Sequence, residues 1–155
     1  MKPALNSTAS SDECAIFDVS CVAFNLRKSA RVVGRIYEQE MRGAPIKGPL
    51  FSLLAIINKR RSATITGLAK DIGLDRTTLT RNLKPLEKRG LIRIAQKEKR
   101  SKEVSLLPKG EAALHDSLIS WRRAQDKVVR ALGEDRWARM RQDLSAVMAL
   151  TGSPN

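Results

Sequence analysis

Residues 65–107 constrain the fold of this chain more than any other stretch. Thr66 is a good helix N-cap, opening a helix that runs to Asp71 or Ile72. Gly73 suits the left-handed residue that ends such a helix. Asp75 then caps a second helix through about Arg89, and Gly90 ends it. Residues 91–96 and 103–107 are short β-prone runs, and Ile65 reads as a very short strand of its own. The runs are joined by Lys97, Glu98, Lys99, Arg100, Ser101 and Lys102, a polar tip without a two-residue turn signal, so the hairpin register stays open.

Two helices meeting at a glycine turn, followed by a hairpin with a basic tip, make the element order of a winged helix-turn-helix. Charge agrees with that order. The 155 residues carry a formal net charge of +13. Residues 59–109 hold fifteen Lys and Arg against five acids, a net of +10, leaving +2 before and +1 after. A surplus serving only solubility would be spread evenly. One concentrated in the middle third points to a polyanionic partner.

On a helical wheel of about 100° per residue, Leu79, Leu83 and Leu86 of the second helix fall together and face a core. Thr77, Thr80, Arg81, Lys84 and Lys88 cluster opposite, flanked by Arg76 and Thr78, and this face is expected to carry no acid. Its chemistry suits a DNA major groove. Arg pairs with guanine, Thr exchanges hydrogen bonds or touches the thymine methyl, and lysines take phosphates. The N-terminal half of such a helix reaches the bases, which favours Thr77, Thr80 and Arg81. Pro85 removes one helical hydrogen bond and is expected to kink the helix beyond those readers. Lys97, Lys99, Arg100 and Lys102 form a wing suited to the minor groove or adjacent phosphates.

Long helices flank this centre. Asp12 caps a helix starting near Glu13, on which Leu26, Ala30, Val33, Tyr37 and Met41 make one apolar stripe. Residues 43–49, with two Gly and two Pro, break it, and residues 50–58 read as a buried helix. Pro108 opens a further helix in which Leu114, Leu118, Trp121, Val128 and Leu132 keep helical spacing, interrupted by Gln125. Gly133 breaks it before a last amphipathic helix bearing Trp137, Met140, Leu144, Val147 and Met148. The expected fold is therefore mainly α with a small β-hairpin wing. Residues 1–11 form a disordered tail, 12–45 and 110–152 a helical dimerisation region, and 46–109 the DNA-binding domain. The terminal helices carry more apolar surface than one small centre can cover, and a second copy of the chain is the economical cover.

No apolar run reaches the ~18–20 residues of a membrane span. The first residues lack the layout of a signal peptide, so the expected location is cytoplasmic, with thiols reduced by default. Cys14 and Cys21 are the only cysteines. Seven residues apart on one helix they share a face at about 10 Å, beyond the reach of an intrachain disulfide. Three readings stand: packing and incidental surface thiols, a redox sensor with Cys14 activated in the first helical turn, or a shared metal site. The single His115 builds no metal site and reads as a helix-surface residue. No metal or cofactor is expected. Without a Cys-x-x-Cys pair or a catalytic His constellation, a thiol enzyme is not expected either.

The run from Ile65 to Ile94 (ITGLAKDIGLDRTTLTRNLKPLEKRGLIRI) resembles the MarR family of bacterial transcriptional regulators. Lys99-Arg100-Ser101, Val104 to Leu106, Lys109-Gly110 and the helix from Asn25 to Arg31 extend the likeness over residues 20–150. The resemblance implies an obligate homodimer whose first and last helices interlock, two winged lobes on a pseudo-palindromic operator in double-stranded DNA, and usually repression. It implies Arg100 as the wing arginine. It also implies a small-molecule effector pocket between the dimer helices and the lobe, for which Phe24, Arg31, Tyr37, Phe51 and Trp121 are candidate lining residues. Members that sense organic peroxides carry a reactive Cys near the start of the first helix, where Cys14 stands. Two positions depart from the pattern. Glu98 stands where the family often has Asp, and Leu107 stands where it often has a capping Thr. The expected function is a sequence-specific DNA-binding regulator released by a ligand or by cysteine oxidation. The alternative is an architectural, non-specific DNA binder without an effector.

Overall fold

The computed structural model describes residues 17–98 and 101–150. By compactness the chain divides into two units, one ending at Arg35 and one starting at Ile36.

In the first unit, α1 (Phe17–Ser20) is followed after a single residue by α2 (Val22–Glu40), which continues past the boundary. Cys21 sits at that interruption, so the expectation of one continuous helix from near Glu13 to Met41 is corrected there. Asn25 spans the interruption. Its side-chain amide donates to the carbonyls of Val19 at 3.2 Å and Cys21 at 3.0 Å, while its backbone amide makes the helical bond to the same Cys21 carbonyl at 3.0 Å. Cys14, and the helix start near Glu13, lie outside the described residues. The apolar stripe ends just past α2 in Met41, which is buried, whereas its Leu26, and Val22 and Val32 off the stripe, are exposed.

The second unit continues with α3 (Pro49–Arg60), β1 (Ser62–Thr64), α4 (Ile65–Ile72), α5 (Arg76–Lys88), β2 (Ile92–Glu98), β3 (Ser101–Leu106), α6 (Pro108–Leu132) and α7 (Glu134–Ala149). Leu54 and Ile57 of α3, Leu68 of α4, Leu79, Leu83 and Leu86 of α5 and Val104 of β3 are completely buried in one core. Each fully buried leucine contributes ~1.5–3 kcal/mol, so α5 is held to this core by one face alone. Ser117 is the one buried polar side chain among the described residues. Its hydroxyl accepts from the Ile46 amide at 3.0 Å and donates to the Ala113 carbonyl at 2.7 Å, tying the loop before α3 to α6.

The strands form an antiparallel sheet in the order β1-β3-β2. Ser62, Ala63 and Thr64 pair with Ser105, Val104 and Glu103. This moves the short strand from Ile65 to residues 62–64, and the cap with it. Pairing keeps Thr64 extended (φ −70°, ψ 151°), and its hydroxyl accepts from the Gly67 amide at 3.1 Å. Thr64, not Thr66, therefore caps α4, and Ile65 becomes a buried first-turn residue. In the hairpin, Ile92 to Gln96 pair with Leu106 to Lys102 until a bulge between Gln96 and Glu98 shifts the register. Both strands run further toward the tip than the β-prone runs suggest.

Candidate nucleic-acid interface

Helix α5 begins where Asp75 holds an extended backbone and its carboxylate accepts twice from Thr78, from the amide at 2.8 Å and from the hydroxyl at 2.7 Å. These bonds hold the Asp75 carboxyl below its ordinary range. The residue before this cap, Leu74, follows Gly73, whose left-handed φ of 70° ends α4. The turn between the two helices is thus set by a glycine and a cap. The helix then runs through Pro85 to Lys88, with Pro85 inside its last turns.

Burial of Leu79, Leu83 and Leu86 turns the opposite face outward, leaving Arg76, Thr77, Arg81 and Lys84 exposed. Two hollows flank that face. One, of about 690 Å³, lies over it and is lined by Arg76, Thr77, Thr80, Arg81 and Lys84. The other, of about 640 Å³, lies between α5 and the hairpin. There Arg76, Thr80 and Lys84 face Ile94, Ala95, Gln96 and Lys102. Five of the six helix residues expected to meet DNA therefore line one surface, with Lys102 joining from the hairpin.

The hydroxyls are less interchangeable than their sequence suggests. Thr78 donates to Asp75 and is a capping residue that lines neither hollow. Thr80 donates to the Arg76 carbonyl at 2.7 Å, so its oxygen is left to accept. Thr77 carries the exposed hydroxyl of this face that is tied to no described residue.

In the hairpin, Lys97 pairs with Glu103 at 2.8 Å, and Lys97 and Ser62 together hold the Glu103 carboxyl below its usual range. Lys97 thereby ties β2 to the central strand β3. Lys99 and Arg100 lie outside the described residues. Two residues that the sequence reading missed, Glu87 and Gln96, line the hollow between α5 and the hairpin. The expectation of a face without acids is corrected by Glu87. It lies seven residues after Thr80, only about 20° away on the wheel.

The residues expected around a small-molecule pocket are placed as follows. Phe51 is buried and stacks on Trp121 with ring centroids 6.0 Å apart at 21°. Tyr37 donates to the Gln125 side chain, and burial raises its pKa. In the other unit, Lys28 lies 5.6 Å from the Phe24 ring centre, and Arg31 is exposed. Cys21 is partly covered. Among the described residues, no group of three or more His, Cys, Asp and Glu is arranged to hold a metal ion, and His115 is exposed on α6. No helix among them is long and apolar enough to cross a membrane.

A model of the MarR family matches residues 47–102, from just before α3 to the second hairpin strand. The solved M. tuberculosis transcriptional regulator MosR in complex with DNA is 34% identical to this chain. It has a TM-score of 0.77 over 86% of this chain and 97% of that one. The chain belongs to the MarR family. A second MosR structure agrees at 33% identity and a TM-score of 0.76, covering 88% and 98% of the two chains. At the level of fold alone, a mutant MarR from E. coli complexed with operator DNA aligns with a TM-score of 0.75. It is 19% identical, over 85% of this chain and 96% of that one. No curated protein sequence matches the chain. The small three-stranded antiparallel sheet is the wing of this MarR-like fold.

Proposed function

We propose that this chain is a cytoplasmic, homodimeric regulator that reads a pseudo-palindromic operator through α5 and represses transcription until an effector lowers its affinity. The observation that carries the DNA reading is the exposed face of α5. Arg76, Thr77, Arg81 and Lys84 project from a helix whose other side is locked in the core, beside two hollows, one of which Lys102 also lines. In this reading Arg81 and Thr77 meet base edges in the major groove, while Arg76, Lys84 and Lys102 take phosphates. Lys99 and Arg100 extend the wing toward the minor groove. The similarity to MosR, which was solved with DNA, supports the same direction.

Exposed apolar side chains on the terminal helices support pairing of two copies. Val22, Leu26 and Val32 on α2, and Val147 and Met148 on α7, are uncovered in a single chain. A dimer presents two α5 helices to successive major grooves, so an effector needs only to favour a spacing that misses them. Release follows from a small ligand or from oxidation at Cys14 or Cys21.

Selection of duplexes from a random pool, followed by competition at fixed salt, tests the reading. A selected duplex should bind at least about 10³-fold tighter than random sequence. Equal affinity for both assigns the chain to the architectural, non-specific class instead. Screening small molecules and mild peroxide for release of the selected duplex tests the effector.

A further inference from the structure

We infer that Glu87 is a positioning residue for the duplex: its carboxylate closes one end of the hollow between α5 and the hairpin to the phosphate backbone, and so restrains binding that ignores sequence. The inference rests on the reading of α5 as the helix that faces DNA.

Arg76, Thr80, Lys84 and Glu87 follow one another along one edge of α5, and all four line this hollow. At a rise of 1.5 Å per residue, Glu87 stands about 16 Å along the axis from Arg76. The hollow is therefore cationic at the start of the helix and along the hairpin, where Lys102 contributes, and anionic at its other end. Glu87 forms no salt bridge with a described residue. It also sits in the last turn of α5, where the helix dipole disfavours an acid. The carboxylate thus works against the stability of its own helix and is not explained by the fold.

Its effect on a nucleic acid is direct. A phosphate within the Debye length of about 8–10 Å is repelled. A duplex whose register is fixed by Thr77 and Arg81 rests its backbone on Arg76 and Lys84. Lys84 stands only about 4.5 Å along the axis from Glu87, and its ammonium offsets the carboxylate for a phosphate held there. A duplex held by phosphates alone has no such register, and the helix is free to tilt until the backbone also enters the Glu87 end. The carboxylate penalises those looser arrangements, which are the ones that carry no sequence information.

Glu87→Gln keeps the size and polarity of the side chain and removes its charge. Dissociation constants of the full chain, on one selected and one random duplex across several salt concentrations, test the inference. Asp143→Asn on α7, outside both hollows, controls for net charge. The Glu87→Gln protein should bind the random duplex about three- to tenfold tighter, with a salt slope steeper by about 0.9. The selected duplex should gain less, so the specificity ratio falls. Asp143→Asn should leave both slopes unchanged. Thermal melting should show Glu87→Gln at least as stable as the parent, since an acid leaves a helix C-terminus. Coincident random-duplex curves for parent and Glu87→Gln, or equal gains on both duplexes, overturn the inference. A parent protein that binds neither duplex removes the reading of α5, and this inference with it.

Discussion

Gly110 lies against the carbonyl of Leu91 so closely that a Cβ on it would stand 2.0 Å from that oxygen. The same oxygen accepts the Leu107 amide at 3.0 Å, so the entry to β2 and the start of α6 meet at one backbone group. Gly110→Ala cannot be absorbed by a side-chain shift, because the obstacle is backbone. We expect a loss above the ~1–3 kcal/mol of ordinary overpacking, read as a lower urea midpoint. Gly34→Ala in α2, where an added Cβ meets nothing within 4 Å, is the control and should be neutral or stabilising.

The two exposed cations in the middle of α5 should separate by function. Arg81→Ala should cost ~1–3 kcal/mol on a selected duplex and blur its preference at one base position. Lys84→Ala should weaken selected and random duplexes alike and flatten the salt slope by about 0.9. Binding isotherms on both duplexes check this. An Arg81→Ala loss equal on both would reassign Arg81 to phosphate.

Lys97 and Lys102 are both hairpin lysines, yet only Lys102 lines the hollow beside α5, while Lys97 is paired with Glu103. Lys102→Ala should flatten the salt slope by about 0.9. Lys97→Ala should change it by less than half as much. Equal changes would return Lys97 to the phosphate contacts.

Asp75 supplies a pH dependence whose sign follows from its bonds to Thr78. Its folded pKa is lowered from 3.8, so its contribution is complete above the unfolded value and is lost as pH falls through the folded one. Asp75→Asn keeps a capping oxygen and removes the titration. Unfolding midpoints between pH 7 and pH 3 should show the parent's advantage over Asp75→Asn shrinking toward acid. A constant difference would mean that the charge contributes nothing.

The local punctuation of the winged region is written in the sequence because it depends on neighbouring residues only. Gly73, Gly90 and Gly133 all adopt positive φ where helices end, and Asp75 and Pro108 open helices where composition places them. What the sequence hides is set by distant partners. Thr64 outcompetes Thr66 as cap because β3, some forty residues later, holds residues 62–64 extended. Gln125 interrupts an apolar stripe because it accepts the Tyr37 hydroxyl, eighty-eight residues away. The break at Cys21 falls where no Gly or Pro stands, so composition gives no sign of it. In the candidate site the hydrophobic face of α5 and its cations were legible. The intramolecular bonds of Thr78 and Thr80, and the place of Glu87 in the hollow, needed the hairpin and the cap in three dimensions.

The central claim is that the Thr77–Lys84 face of α5 enters a major groove twice in each complex. Methylation interference at guanine N7, which faces the major groove, tests it on the selected duplex. Two interference patches should appear, centred about one helical turn apart on the same side of the duplex, and one position in each should vanish with Arg81→Ala. A tightly bound duplex with a single patch, or with no N7 interference at all, would contradict the account.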